Sequence, residues 1–254
     1  MGWSGLVLSI GMAIAAGLVG CFAVMRRMSL ASDALSHVAL PGIGVALLLR
    51  FHPLLGGLAA LFVGTIVVWG LERQTRISIE TVVGVVFSLA LALGSMLTSG
   101  EELVDALLGA PGTLGAWELE LGLAGAAAVV AFVLTQRDRL VVTLVSSDIA
   151  RTSGIRVSAL ELAYLLAFAL TVALGLRYLG VLLMGSLVII PAAAAKRLAR
   201  GLNEMFVIAV LVAVTATVFG EVLASIVHQP PGPVIIAIAA FLFFGSLMIH
   251  RRPS

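Results

Sequence analysis

Long runs of apolar residues, separated by short polar stretches, recur along the whole of this 254-residue sequence. Several runs reach the roughly 20 residues that a helix needs to cross a bilayer. We therefore predict a bundle of transmembrane helices, and the two shortest runs leave their number at eight or nine. The predicted segments cover residues 5–25, 28–50, 54–72, 80–98, 119–135, 158–176, 178–195, 205–226 and 232–249.

Composition agrees with this prediction and narrows the class of protein. Hydrophobic residues make up 61% of the chain, charged residues make up 11%, and the mean hydropathy is +1.18. An ordinary soluble domain carries about 25% charged residues. Because the apolar segments fill the whole length, we expect a single all-α integral membrane domain over residues 1–254. The one cysteine, Cys21, lies in an apolar run, and we interpret it as a small packed residue.

Positive charges collect at alternate ends of the predicted helices. By the positive-inside rule, the side that carries them faces the cytoplasm. Nine segments then place the N-terminus outside and the C-terminus inside, with only Arg50 and Arg177 on the outer side. The distribution reflects membrane topology and gives no indication of nucleic-acid binding. The 13 basic residues on the cytoplasmic side are Arg26, Arg27, Arg73, Arg76, Arg137, Arg139, Arg151, Arg156, Lys196, Arg197, Arg200, Arg251 and Arg252.

One loop on each side differs from a simple connection. The outer loop, residues 99–118, has acidic residues and no cation; it is either a solvated loop or an acidic surface that receives a partner or attracts cations. On the inner side, Ser147 or Asp148 can cap a short helix that ends at Gly154. Such a helix is too polar to span the membrane and would lie at the cytoplasmic surface; the alternative is an ordinary loop. The acids in and after the outer loop are Glu101, Glu102, Asp105, Glu118 and Glu120.

Two ionisable residues stand inside the second apolar segment. Asp33 and His37 are four residues apart, so a helix would place both side chains on one face. Counted from Arg27 at 1.5 Å per residue, His37 lies about 15 Å into the membrane. A buried carboxylate at such a depth costs several kcal/mol unless it faces a partner, water or an ion. The pair is either a functional site or a structural hydrogen bond inside the bundle.

Metal chemistry fits the functional alternative. Pro41 removes the helical hydrogen bond to the carbonyl of His37, so one turn can offer a carboxylate, an imidazole and a free carbonyl. This donor set suits divalent ions such as Zn²⁺, Mn²⁺ and Fe²⁺. Glu221 would complete an acidic metal site if it faces the pair across the bundle, and otherwise pairs with a neighbouring helix. His228 is a further candidate ligand, or a residue of the outer interface.

Several enzyme signatures are missing from the sequence. It contains no G-x-x-x-x-G-K-[ST] motif, so it binds no nucleotide through a P-loop. It also contains neither H-E-x-x-H nor G-x-S-x-G, which argues against a membrane protease or hydrolase.

Three stretches resemble the membrane permeases of ATP-binding-cassette (ABC) importers for zinc, manganese and iron. They are "GCFAVMRRMSLASDALSHVALPGIGVA", "SSDIARTSGIRVSALELAYLLAFAL" and "LGVLLMGSLVIIPAAAAKRLA", in the order that this family shows. The resemblance covers nearly the whole chain. It implies a transport subunit rather than an enzyme, in a prokaryotic plasma membrane, with a transported metal ion and no permanently bound cofactor.

The resemblance also implies partners and residue roles. The expected partners are two cytosolic ATPase subunits that bind the ATP, a second permease copy, an extracytoplasmic metal-binding protein and membrane lipid. The D-x-x-x-H pair of the family corresponds to Asp33 and His37, and its acidic position in a late helix to Glu221. Its coupling helix to the ATPase corresponds to residues 147–155. Within it, the contact residues would be Ser147, Asp148, Ala150, Arg151, Gly154 and Ile155.

The expected mechanism is alternating access, in which the site opens in turn to either side of the membrane. Three alternatives remain at this point: a siderophore or cobalamin permease of the ABC class, an ion-gradient-driven metal transporter, and a membrane metalloenzyme. The sequence does not choose among zinc, manganese and iron, because Asp, Glu and His ligate all three. It also does not decide between two identical permeases and a pair of paralogues.

Overall fold

The computed structural model describes residues 3–28, 34–75, 77–97, 115–179 and 181–248, and these ranges contain helices and no strands. A single turn of helix, residues 34–37, precedes α2. The helices are α1 (Trp3–Met25), α2 (Ala39–Leu48), α3 (Pro53–Gln74), α4 (Ile79–Leu97), α5 (Ala116–Val145), α6 (Ser147–Thr152), α7 (Val157–Leu179), α8 (Val181–Leu198), α9 (Leu202–Val227) and α10 (Pro231–Met248).

Nine of these helices, all except α6, coincide with the nine predicted segments in the part of the chain that is described. Seven of the described helices are long and apolar enough to cross a membrane, whereas the apolar helix Ala34–Leu48 is shorter. The prediction of an all-α, polytopic membrane protein is confirmed. The predicted short helix on the inner side is present as α6.

Helix α5 is much longer than the segment predicted for it. It has 30 residues and therefore measures about 45 Å, more than the roughly 30 Å hydrocarbon core. The sequence prediction ended at residue 135 because Arg137, Asp138 and Arg139 follow. Charged residues end a membrane span, but arginine is a good helix former, so the helix itself continues to Val145. Its last turns extend beyond the membrane and lead directly into α6.

The second predicted segment is interrupted. A turn at Val38 separates residues 34–37 from α2, and the Val38 amide donates to the Leu35 carbonyl over 3.0 Å. Pro41 lies three residues further on. A proline inside a helix frees the carbonyl four residues earlier and crowds that turn, which is a common cause of a kink. This irregular turn falls directly after His37; Val38 keeps helical backbone angles, φ −63° and ψ −18°, so the chain continues through it as the short helix Ala34–Leu48.

Helix α1 forms the centre of the molecule. It packs on α5, α7, α8 and α9, and 72% of its most apolar stretch of 18 residues is buried. Gly20 faces the backbone carbonyl of Val188 on α8, and Gly17 faces the backbone of Ala209 on α9, both closely enough that a Cβ would collide. Small residues permit such close approach of membrane helices, where packing rather than the hydrophobic effect drives association. We call α1, α5 and α7–α10 the main bundle.

Helices α2, α3 and α4 form a second group, which we call the three-helix unit. They pack on one another, and among the described elements the contact between this unit and the main bundle runs mainly along α3 and α7. Gly42 of α2 and Gly56 of α3 face each other so closely that a Cβ on either would meet the carbonyl of the other. The two backbones are therefore in direct contact where α2 crosses α3.

The positive helix ends gather at one end of the molecule, which we call the basic face. Arg26 at the end of α1 approaches Glu161 in α7 within 4.0 Å, and Arg137 of α5 donates to Asn203 at the start of α9 over 3.0 Å. Arg197 at the end of α8 donates to the Leu247 carbonyl at the end of α10 over 3.0 Å. These contacts join helix ends that the charge pattern assigns to the same side. The other end of the molecule is the opposite face.

Candidate functional site

His37 is buried inside the three-helix unit. Its side chain is only 9% exposed, and its ring meets the ring of Phe87 on α4 edge to face, with centroids 5.2 Å apart. Asp33, its predicted partner, lies outside the described residues. The imidazole therefore packs against α4 in the interior of the unit, and its pairing with Asp33 stays a prediction.

The backbone around His37 is fixed by close packing on both neighbouring helices. Gly64 of α3 faces the side chain of Val38, and Gly94 of α4 faces Leu40. A side chain at either glycine would displace the turn that carries His37. Because two helices confine this turn from different directions, the orientation of the imidazole depends on α3 and α4 as much as on its own helix.

Glu221 is buried in a different part of the molecule. It lies on α9 with 4% exposure, and the Ser9 hydroxyl on α1 is a hydrogen-bonding neighbour of its carboxylate. Thr217 stands one helical turn earlier on the same face and is also buried. Within the described ranges, Glu221 Oε2 and Thr217 Oγ1 have no hydrogen-bond partner. A buried oxygen without a donor costs free energy, so this position favours a proton, a water molecule or a cation.

His228 ends α9 at the surface. It adopts the left-handed conformation at the C-cap, with φ 54° and ψ 40°, and its Nδ1 lies 3.1 Å from the Ile226 carbonyl. Its side chain is exposed. The geometry accounts for His228 as a helix terminus at the opposite face, and its role as a metal ligand stays a prediction.

The described residues do not bring the candidate ligands into one cluster. Helix α2 packs on α3 and α4, whereas α9 packs on α1, α8 and α10, so His37 and Glu221 belong to different groups of helices. Over the described ranges, no group of three or more His, Cys, Asp or Glu side chains is arranged to hold a metal ion. A site built from Asp33, His37 and Glu221 is untested, because Asp33 lies outside those ranges.

Helix α6 presents a polar surface at the basic face. Its N-cap is Ser146, whose hydroxyl accepts from the Ile149 amide, so the predicted caps Ser147 and Asp148 are wrong by one or two residues. Ser146 has the extended backbone that a cap requires, whereas the next two residues are already helical. Gly154 adopts φ +78° after the last turn, as predicted for the stop.

Most side chains of α6 point into solvent. Ala150 is fully buried and attaches the helix to the molecule, whereas Ser147, Asp148 and Arg151 are exposed, as is Ile149 at 57%. Gly154 is exposed and Ile155 is half-buried. An exposed isoleucine between charged neighbours on a short surface helix is typical of a docking element.

Two inter-helix contacts of polar side chains were not predicted from the sequence. Trp69 and Arg73 at the end of α3 both donate to Ser158 in the first turn of α7. At the opposite face, His52 Nε2 before α3 lies 3.4 Å from Glu118 Oε1 at the start of α5. Each contact joins the three-helix unit to the main bundle. No local signal in the sequence pairs these residues, since they are 66 to 89 positions apart in numbering.

An apolar cavity of about 470 Å³ lies between the two groups of helices. Its walls come from α1, α3, α5 and α7, and include Leu8, Leu58, Leu121 and Leu170. Glu118 and Trp117 line the end nearest the opposite face. At Leu54, Leu55 and Leu58, α3 is therefore separated from the main bundle by open space; this gap lies between the His52–Glu118 contact at the opposite face and the contact with α7 near the basic face.

The sequence matches the model of the ABC 3 transport family over residues 3–250, which is nearly its whole length.

Named relatives are similar over most of their lengths. The high-affinity zinc uptake system membrane protein ZnuB of Haemophilus influenzae is 31% identical over 255 residues, covering 98% of this chain and 96% of the relative. The chelated iron transport system membrane protein YfeD of Yersinia pestis is 29% identical, covering 98% of this chain and 85% of the relative. The described fold is also similar to a solved structure, PsaBC from Streptococcus pneumoniae in complex with Fab, with a TM-score of 0.84, 26% identity, and coverage of 96% of this chain and 90% of that one.

Proposed function

The chain belongs to the ABC 3 transport family, and we propose that it moves zinc, manganese or iron ions into the cytoplasm as the permease of an ABC importer. The observation that carries this proposal is the family match over residues 3–250, together with relatives of zinc and iron systems that are similar over at least 85% of their own length. The chain is a transport subunit of this class, and ATP hydrolysis is assigned to a separate ATPase.

We assign the transported metal to Asp33 and His37. The buried position of His37, four residues before Pro41, supports this role because proline has no N–H to donate to the His37 carbonyl. A transport site must bind its ion weakly enough to release it. A small donor set in an otherwise apolar unit meets that requirement better than a closed four-ligand site.

Glu221 is proposed as a further ligand or relay for the ion, and His228 as a ligand near the entrance. The support for Glu221 is its buried Oε2, which lacks a hydrogen-bond partner within the described chain. The support for His228 is its exposed imidazole at the opposite face, which we take as the extracytoplasmic side. Since His37 and Glu221 belong to different helix groups, an ion that uses both would pass from one to the other or bridge them after a rearrangement.

The basic face is proposed to be cytoplasmic and to carry the ATPase. Residues 147–155 would fill a groove of that subunit, with Ser147, Asp148, Arg151 and Ile155 at the contact. Ala150 and Gly154 would instead hold the shape of the element, as their burial and positive φ respectively suggest. We expect two ATPase copies, a second permease copy and an extracytoplasmic metal-binding protein, in a prokaryotic plasma membrane.

The proposed cycle is alternating access. The binding protein delivers an ion from the opposite face, Asp33 and His37 hold it, and ATP-driven closure of the ATPase pair moves α6 so that the site opens to the cytoplasm. The protein supplies ligands and a path, and the free energy comes from ATP.

Uptake into proteoliposomes tests the proposal. Vesicles containing the permease, its ATPase and its binding protein should accumulate one of zinc, manganese or iron only when ATP is present. His37→Ala should reduce that uptake at least tenfold while assembly and basal ATPase activity remain near wild type, because it removes a ligand and little of the bundle core. Uptake driven by an ion gradient and indifferent to ATP would contradict the proposal.

The neighbouring Phe87 provides a matched control for His37. Phe87→Leu keeps the imidazole but alters its packing partner. We expect this variant to retain most of the uptake. Equal losses in the two variants would show that the packing of the unit matters, and would remove the ligand role from His37.

A further inference from the structure

The end of α3 at the basic face is fastened to the first turn of α7 through one residue, Ser158. The indole Nε1 of Trp69 donates to the Ser158 carbonyl over 3.3 Å, and the Arg73 guanidinium donates to the Ser158 hydroxyl. The guanidinium also lies over the Trp69 ring, 5.0 Å from its centroid. Two donors on successive turns of α3 therefore bind the carbonyl and the hydroxyl of the same serine.

Ser158 follows α6 closely in the sequence, in the first turn of the next helix. Helix α7 begins at Val157, and the Ile155 amide donates to the Ala150 carbonyl over 3.0 Å, which folds the connection back onto α6. Val157 and Ala150 are both buried. Because the connection between the two helices is this short and this well bonded, a displacement of α6 moves the first turn of α7 with it.

Helix α3 leads from this contact to His37. Its Gly56 is in backbone contact with Gly42 of α2, and its Gly64 receives the side chain of Val38, the residue after His37. Beyond Gly64, the turns of α3 that carry Leu54, Leu55 and Leu58 border the apolar cavity, where they have room to move relative to the main bundle. Because α3 packs closely on α2 but meets the main bundle beyond Gly64 only through the His52–Glu118 contact among the described polar contacts, a displacement at its fastened end can tilt it together with α2.

We propose that Trp69, Arg73 and Ser158 form the mechanical joint that transmits the movement of α6 to His37. The proposal rests on the proposed function, because it takes α6 as the contact with the ATPase. These three are positioning residues that do not touch the ion. They decide whether closure of the ATPase pair tilts α3 and, with it, the turn that carries the imidazole.

The test compares uptake with ATP hydrolysis in the reconstituted complex. Arg73→Ala and Ser158→Ala should each lower the metal taken up per ATP hydrolysed about tenfold, the effect of losing one hydrogen bond to a charged group. Trp69→Phe, which keeps the ring and loses the N–H donor, should give a smaller loss. The ATPase rate itself should stay within about twofold of wild type, because the surface of α6 is unchanged.

A double-mutant cycle separates a joint from two unrelated defects. If Arg73 and Ser158 act through their mutual bond, the double alanine variant is no worse than either single variant. Arg137→Ala is the matched control: it also removes a guanidinium hydrogen bond at the basic face, but one from α5 to Asn203 at the start of α9, within the main bundle. We expect it to leave the uptake per ATP near the wild-type value.

The outcomes are distinct from those of the proposed function. If the wild-type complex shows no ATP-dependent uptake, the proposed function fails. If the wild type transports and Arg73→Ala, Ser158→Ala and Trp69→Phe all keep the wild-type uptake per ATP, the joint is refuted and the function stands. Additive losses in the double variant, or an equal loss in Arg137→Ala, also refute it. Should Arg73→Ala fail to assemble, Ser158→Ala and Trp69→Phe decide the question.

Discussion

The two groups of helices differ in how they hold together. In the main bundle, α1 is enclosed by four other helices, and 72% of its 18-residue apolar stretch is buried. The same fraction is 33% for α3 and 22% for α4 in the three-helix unit. The enclosed helix carries none of the candidate metal ligands within the described ranges, and the thinly packed unit carries His37. Burial is therefore concentrated in α1 rather than shared by the whole main bundle, since α5 and α10 are only 28% and 22% buried, and His37 lies outside this tightly packed centre.

We expect the largest loss of stability from a substitution at the centre of the main bundle. Gly20→Ala would place a Cβ against the Val188 carbonyl. Over-packing of a tight contact costs roughly 1 to 3 kcal/mol, and a backbone neighbour that is itself helical has little freedom to yield, so we expect the upper end of this range. The measurement is the thermal stability and yield of the detergent-solubilised protein.

Gly5, on the same helix, is the control for this substitution. A Cβ there meets nothing within 4 Å, so Gly5→Ala should leave stability unchanged or raise it slightly through the better helix propensity of alanine. Equal behaviour of the two variants would contradict the view that α1 is the tightly packed centre.

The three-helix unit should be most sensitive to substitution at the glycine crossing, where Gly42 of α2 meets Gly56 of α3. Gly56→Ala forces α2 away from α3, and because the unit is thinly packed it can yield, so we expect a loss of stability of about 1 kcal/mol. Uptake should fall much more than stability, because the displaced helix carries His37. Gly70→Ala on the same helix, where a Cβ has open space, should leave uptake intact. A parallel loss in both variants would indicate a general defect of α3.

The smallest effect is expected where the unit meets the main bundle at the opposite face. Glu118→Gln removes the charge that faces His52, whose side chain is 36% exposed. Glu118 itself is only 7% exposed, but Gln keeps its size and an oxygen that can accept from the Gly115 amide, so we expect a shift in thermal stability of at most a few degrees. A loss larger than that of Gly56→Ala would mean that this contact, and not the glycine crossing, holds the unit in place.

Hydropathy and charge predicted the elements well because both are local properties. The nine segments and the short helix α6 follow from runs of apolar residues and from Gly154. The irregular turn at Val38 was not predicted, since Pro41 indicated only the loss of one hydrogen bond. The extra length of α5 was missed because a membrane span and a helix end for different physical reasons.

The neighbours of each helix could not be predicted in the same way. Lipid chains and packed side chains are both apolar, so hydropathy does not tell which face of α3 meets α7 and which meets lipid. The contacts of Trp69 and Arg73 with Ser158 depend on that choice. The same holds for Glu221: its sequence position showed that it was buried in the membrane, but not that its neighbour is Ser9 rather than His37.

The length of α5 has a thermodynamic consequence. This one continuous helix carries Glu118 in its first turn and is followed at once by α6, so a single rigid rod of about 45 Å joins the two surfaces of the molecule. Equilibrium linkage is reciprocal. A molecule that prefers one tilt of this rod when it binds at the opposite face alters the affinity of α6 for any partner that also discriminates between the tilts, and that partner changes the outer affinity by the same factor.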